Sequence, residues 1–118
     1  MHVRFESELF DRFESRLTLT PATPQPFSSP RDFAFDVLLA SFQHVDAVLK
    51  ADKEAIGAGD TYDDAYFEAF FTKVKPLLEQ QLSAAITATA AVIVTAWEQA
   101  GKPSLTINAK REPRKRTR

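Results

Sequence analysis

The stretch that decides the fold spans residues 63–99 and reads DDAYFEAFFTKVKPLLEQQLSAAITATAAVIVTAWEQ. Apolar residues recur in its first half at intervals of three and four, which predicts a helix with one apolar face. This aromatic stripe, expected to form core, consists of Tyr62, Tyr66, Phe67, Phe70, Phe71 and Val74. Thr61 and Asp64 are start signals, and Pro76 is expected to break or kink the helix at Lys75.

The helical pattern resumes after Pro76. Its predicted apolar face consists of Leu78, Leu82, Ala85, Ile86, Thr89, Ile93, Ala96, Trp97 and Ala100. Trp97 is therefore expected to be mostly buried, and Gly101 and Pro103 predict the end of the helix. The apolar run 82–97 is 16 residues long and contains Ser and Thr, which favours a packed helix over a membrane span.

Two helical patterns precede this stretch. In residues 4–17 an amphipathic helix is predicted by the i, i+4 series Phe5, Leu9, Phe13 and Leu17, which Phe10 widens. The second helix opens with Ser29, Pro30 and Asp32, a capping signal, and fades near Gly57 and Gly59. Its predicted apolar face consists of Ala34, Val37, Leu38, Ser41, Phe42, Val45, Val48 and Leu49.

Residues 18–30 contain four prolines, so no helix crosses them, and an extended surface crossing anchored by Phe27 is predicted. The predicted class is all-α with three to four helices. A helical domain occupies 1–105 and a basic tail without regular structure occupies 106–118. If the apolar face of helix 4–17 does not fold back onto the body, we expect self-association through it, as a two-fold dimer.

The composition of the 118 residues excludes several classes of protein. There is no cysteine, which excludes a disulfide framework and thiolate zinc sites. Three glycines provide no phosphate loop, and no nucleophile has a plausible histidine base nearby. No basic segment followed by an apolar run opens the chain, so a signal peptide is not predicted and the expected location is cytoplasmic.

The net charge of −1 conceals a basic tail on an acidic body. The tail, KREPRKRTR at 110–118, carries the candidate phosphate-binding residues Lys110, Arg111, Arg114, Lys115, Arg116 and Arg118. Each could release a counterion from nucleic acid, but no aromatic residue is interleaved for base stacking, so only non-specific binding is expected. Alternatively, these basic residues are a solvated chain end that binds nothing.

His2 and Glu6, in HVRFE at residues 2–6, lie one helical turn apart and form half of a zinc site. Surface positions on a first helical turn explain them equally well. His44 is expected to be a partly exposed helix residue rather than a ligand. Asp60, Asp63 and Asp64 lack the glycine and terminal glutamate of a calcium loop, so helix capping is the preferred explanation for them.

Three stretches resemble the C-terminal portion of the zinc-dependent phospholipase C and single-strand-specific nuclease superfamily: HVRFES at 2–7, DDAYFEAFFTKVKPLLEQQLSAA at 63–85 and TAWEQAGKP at 95–103. That resemblance implies an all-α fold, phosphodiester hydrolysis at a zinc cluster and export from the cell. It also implies that His2 and Glu6 correspond to the family's last ligand motif, His-x-x-x-Asp or His-x-x-x-Glu.

The chain departs from this family at the upstream ligands, an N-terminal tryptophan and a His-x-x-x-Asp-x-x-x-x-x-His motif, neither of which is present. Zinc would therefore need ligands from a missing N-terminal half. We expect a truncated phosphodiesterase-like domain, inactive alone, whose partner is a separately encoded half or a second copy. The alternatives are a helical protein-interaction module and weak nucleic-acid association through the tail.

Overall fold

In a computed structural model, which describes residues 3–57, 59 and 61–104, the chain is all-α. Its N-terminal segment is π-helical over Val3–Glu8, α-helical over Leu9–Phe13 (α1) and ends in a 3₁₀ turn over Glu14–Arg16. The longer helices are α2 (Pro30–Phe42), α3 (Val45–Ile56) and α4 (Asp64–Gln99). No strand occurs within those ranges, so the predicted fold class is confirmed.

The hydrophobic core lies on the first half of α4. Its buried residues are Leu9, Val48, Ala51, Tyr66, Phe67, Phe70, Phe71, Val74 and Leu78. The aromatic stripe predicted as core is thus confirmed from Tyr66 onward, whereas Tyr62 is 48% exposed. Removing these side chains from water is the main favourable contribution to folding, because each large one contributes about 1.5–3 kcal/mol.

The N-terminal segment folds back onto this core. Leu9 is fully buried, the Phe5 ring lies 6.3 Å from that of Phe70, and Phe13 stacks on Phe71 at 4.3 Å. A helical segment near the predicted 4–17 is confirmed, although its last turn is 3₁₀ and ends at Arg16. Its apolar face is covered by α4, so the condition under which we expected association through this helix is not met.

The proline-rich segment, residues 17–29, runs along the second half of α4. Four of its backbone N–H groups donate to α4 side chains: Thr18 to Glu79 Oε1 (2.7 Å), Thr20 to Ser83 Oγ (2.9 Å), Ala22 to Thr87 Oγ1 (3.0 Å) and Phe27 to Thr95 Oγ1 (3.1 Å). The predicted extended crossing is confirmed, and Phe27 anchors it by stacking on Phe33 at 4.0 Å.

The first three of these hydrogen bonds form a regular ladder, because the repeat of the extended segment matches the repeat of the helix. Two residues of extended chain advance about 6.2 Å, close to the 6 Å of four helical residues. Continued, this register places Pro24, which has no N–H, opposite Ala91, which has no side-chain acceptor. It also places Pro26 opposite Thr95. Because Pro26 has no N–H either, the next residue, Phe27, donates to Thr95 instead. The buried hydroxyls of Ser83 and Thr95 are satisfied by these hydrogen bonds, and no buried side-chain polar atom of the described residues lacks a partner.

The second helix was predicted as one continuous helix from its apolar pattern, but the structure divides it into two helices. A turn at Gln43 and His44 separates α2 from α3, while Ser29 caps α2 as predicted by accepting from the Asp32 N–H at 3.3 Å. Helix α3 ends at Gly57, whose φ of +55° is strained for other residues. Helix α4 is capped by Asp63, not Thr61, since the Asp63 carboxylate accepts from the Tyr66 N–H at 2.9 Å.

Pro76 was predicted to break or kink the helix; a break is wrong, since α4 continues through Pro76 from Asp64 to Gln99. Proline removes one backbone donor, which leaves the carbonyl of Thr72 without its usual partner. Both residues are exposed, so water can reach that carbonyl. Buried Val74 and Leu78 hold the helix against the core on either side of the proline.

The apolar face predicted for the second half of α4 is also wrong beyond Leu82. Ser83, Ala91 and Thr95 are buried there instead, because the backbone of the proline-rich segment packs against their small or hydroxylated side chains. Trp97 is 37% exposed, and its indole Nε1 donates to the carbonyl of Pro103 at 3.0 Å.

The stop signal at the end of α4 is confirmed. Gly101 has a φ of +82°, and its N–H donates to the Glu98 carbonyl. The N–H of Lys102 donates to the Trp97 carbonyl. These two bonds form a Schellman motif, which satisfies the last carbonyls of the helix.

Candidate functional site: an exposed apolar face

Helix α2 buries none of its 13 residues, although its sequence is largely apolar. Leu38 is 63% exposed and Phe42 is 71% exposed, the values of a surface rather than a core helix. The apolar face predicted for residues 34–49 exists as a pattern, but only Val48 within it is buried. Nothing in the described part of the chain covers the rest.

The exposed surface continues onto neighbouring helices. We call it the α2–α4 face, and it consists of Phe35, Val37, Leu38, Leu39, Phe42, Val45, Leu49 and Val92. Ile86, Ile93 and Trp97 are also exposed, but they lie about 100–140° around α4 from Val92 and are not part of this face. These eight side chains of the face expose an area on the order of 1,000 Å², whereas the largest apolar patch of a typical soluble monomer is about 300–600 Å². Exposure of this size marks an interaction surface.

Two open grooves separate α2 from α4. One, of about 840 Å³, lies beside the proline-rich segment and is lined by Val37 and the small residues Ala84 and Ala88. The other, of about 520 Å³, is lined by Leu38, Ala88 and Val92. Helix α2 therefore stands away from α4, and the facing surfaces of both helices remain accessible.

Charged side chains are distributed unevenly over the molecule. Residues 37–45 and 80–97 contain no charged side chain. The ion pairs lie mainly at the other end, where Arg12 contacts Asp64 at 2.8 Å and Arg16 contacts Glu68 at 2.6 Å. One end of the molecule is thus suited to water, and the other is suited to contact with an apolar surface.

Helix α4 alone, among the described residues, is long and apolar enough to cross a membrane by length and composition. Only 17% of its most apolar 18-residue window is buried in this chain. A core helix passes the same test, so the finding shows only that this part of α4 is largely uncovered.

A polar cluster ties the N-terminal segment to α3 and α4. Arg4 Nε donates to the Tyr66 hydroxyl at 3.1 Å, Arg4 Nη2 donates to Asp52 at 3.3 Å, and the Tyr66 hydroxyl donates to Asp52. The Arg4 guanidinium also lies 4.0 Å from the centre of the Tyr62 ring. Sequence reasoning did not find this cluster, because its members are 14 to 62 residues apart.

Titration of Tyr66 gives a test of this cluster. Burial raises the pKa of Tyr66 to about 12, and its hydrogen bond to Asp52 adds to the rise. The folded state thus favours the neutral phenol, so its contribution is complete below pH 10 and is lost between about pH 10 and 12. We expect urea unfolding to show a loss of about 2–3 kcal/mol over this range. In Tyr66→Phe this part of the loss should disappear; equal slopes in both proteins would contradict the assignment.

The zinc half-site is only partly within the described residues. His2 lies outside them, whereas Glu6 lies on the π-helical turn. Glu6 and His44 line one small pocket of about 290 Å³ with Ser41 and Gln81, a proximity that sequence reasoning missed for His44. Across residues 3–57, 59 and 61–104 no group of three metal-ligating side chains occurs.

The remaining sequence-predicted residues divide into two groups. The candidate nucleic-acid residues at 110–118 lie outside the described residues, as does Asp60. Asp63 and Asp64 are accounted for by the helix cap and by the ion pair of Asp64 with Arg12.

Comparisons with known proteins leave the function to be argued from the structure. No protein-family model matches the chain, and neither a curated protein nor a solved structure shows significant similarity to it.

Proposed function

We propose that this chain is a helical interaction module that forms a two-fold dimer through its α2–α4 face. The observation that supports this proposal is the exposure of α2, a helix of 13 residues with no buried side chain. Exposure of such a surface to water is unfavourable, because burial of each Å² of apolar area would contribute about 25 cal/mol of free energy. A second polypeptide that covers the face would recover this free energy.

A second copy fits the area that the face provides. Stable interfaces bury about 800 Å² on each partner, and the face exposes on the order of 1,000 Å². In a two-fold dimer the same patch packs on itself, so an apolar, uncharged patch is its own complement. The uncharged residues 37–45 and 80–97 meet this requirement, and the charges nearest to them on α2 and α3 are those of Asp36 and Asp46.

The mass of the full chain in solution tests the proposal. Light scattering after size exclusion should report a dimer at micromolar concentration and a monomer on dilution. In parallel, the protein is spun with vesicles of phosphatidylcholine and phosphatidylglycerol. A monomer that sediments with the vesicles would assign the face to a lipid surface. A monomer at all concentrations that does not bind vesicles would show that the face needs no cover. Either result contradicts the dimer.

A second candidate function follows from Glu6 and the pocket it shares with His44. In this candidate the chain is the scaffold part of a zinc-dependent phosphodiesterase, inactive alone, and other polypeptide supplies most ligands. The Arg4–Asp52–Tyr66 cluster supports it by fixing the turn that carries Glu6. Co-expression with the reading frame immediately upstream of Met1 tests it: a zinc-dependent activity on bis(p-nitrophenyl) phosphate that is lost in Glu6→Ala would support this function.

For the chain alone we expect weak zinc binding and no hydrolysis. Glu6 and His44, with His2 as the remaining candidate, supply at most three ligands, which leaves a position open on a tetrahedral ion. Isothermal titration at pH 7 should therefore detect no site tighter than the micromolar range. Nanomolar binding that is abolished by His44→Ala would mean that the pocket forms a complete site.

A further inference from the structure

The junction between α2 and α3 differs from an ordinary helix boundary. Between Pro30 and Gly57 the sequence contains neither proline nor glycine. Gln43 has φ −62° and ψ −11°, and His44 has φ −94° and ψ −7°, both close to the helical region. The apolar pattern also runs through the junction without a change of phase. The helix is therefore interrupted here although neither proline nor glycine is present to interrupt it.

The side chain of Gln43 takes part in this interruption. In a continuous helix the N–H of His44 would donate to the carbonyl of Ala40. Instead, the Gln43 side-chain amide donates to that carbonyl at 3.1 Å, and the His44 N–H donates to Ser41 at 3.1 Å. The α3 helix then begins anew at Val45, which leaves its first N–H groups without carbonyls of its own helix.

We infer that the Gln43–His44 junction is a hinge that closes into one continuous helix from Pro30 to Ile56 when the α2–α4 face is covered. The inference rests on the proposed dimer for its trigger, but the hinge itself is a property of the single chain. Helix α3 is the fixed arm, because Val48 and Ala51 are buried against α4 and Glu54 pairs with Lys73 at 2.9 Å.

Helix α2 is the moving arm. It buries no residue, and the two grooves between it and α4 leave room for it to shift. Its first turn is held by the stack of Phe33 on Phe27, so straightening must shift this contact. In return, the straight form regains backbone hydrogen bonds at Val45, Asp46 and Ala47 and aligns the apolar residues of both helices on one stripe.

Spin-label distances test the hinge without interference, because the chain has no cysteine. Labels are attached at Arg31→Cys and Lys53→Cys, both exposed and outside the α2–α4 face. In a continuous helix their Cα atoms are about 33 Å apart, and a bend shortens this distance. We expect the distance in the dimer to lengthen toward 33 Å relative to the dilute monomer, with light scattering on the same samples reporting association.

The variant Gln43→Met separates the hinge from the dimer. Methionine keeps the length and helix propensity of glutamine but cannot donate to Ala40, so the dilute monomer should shift toward the longer distance. A wild-type dimer that keeps the short distance overturns the inference, and an unchanged distance in the dilute Gln43→Met monomer overturns the role of Gln43 in the hinge. If the wild type stays monomeric, the proposed function fails, and the variant alone decides whether the hinge exists.

Discussion

Phe70→Ala should lower the free energy of unfolding by about 3–5 kcal/mol, which is the usual cost of truncating a large core aromatic residue. Phe70 is fully buried and contacts Phe5 and Tyr66 through its ring. The substitution therefore leaves a cavity at the point where the N-terminal segment meets α4. Urea unfolding at a dilution that keeps the chain monomeric would measure the change.

Phe42→Ala is the matched control for this prediction. The same side chain is removed from a helix, but Phe42 is 71% exposed in the single chain. Its loss should change monomer stability by less than about 0.5 kcal/mol, as surface substitutions do. Comparable losses in the two variants would show that Phe42 is covered within the monomer, which would contradict the arrangement of α2 described here.

The contrast between these two phenylalanines also shows how far the sequence could predict the fold. Periodicity identifies the apolar face of a helix in both cases, and for Phe70 the face is covered by the N-terminal segment. Periodicity contains no information on whether another element packs against the face. The same pattern at Phe42 therefore predicted a core residue, but Phe42 lies on the surface. The helical segments were therefore predictable, apart from the interruption between α2 and α3, whereas the elements that pack against them were not.

A different limit applies to the second half of α4. Large apolar residues such as Ile93 were assigned to the core, but Ser83 and Thr95 are buried instead because they accept hydrogen bonds from the proline-rich segment. A signal for this was present in the sequence: Glu79, Ser83, Thr87 and Thr95 recur at multiples of four opposite a segment that cannot form a helix. Side-chain acceptors at helical spacing indicate a place where extended backbone can bind.

Leu38→Glu should raise the dissociation constant of the dimer at least about 100-fold. Leu38 is 63% exposed, lines the groove of about 520 Å³ and lies within the uncharged residues 37–45. In a two-fold dimer the substitution places a carboxylate twice in an apolar interface with no cation nearby, and burying an unpaired charge is strongly unfavourable. A 100-fold change corresponds to about 2.7 kcal/mol. Light scattering or sedimentation over a dilution series would measure it.

Two further variants make this result specific to the face. Leu38→Met keeps an apolar side chain of similar volume and should dimerise like the wild type. Ser15→Glu adds the same charge at an exposed position outside the α2–α4 face and should also leave the dimer intact. Because Leu38 is exposed in the monomer, all three variants should retain the far-ultraviolet circular dichroism of the wild type. If Leu38→Glu and Ser15→Glu weakened association equally, net charge would control assembly, and the α2–α4 face would not be its site.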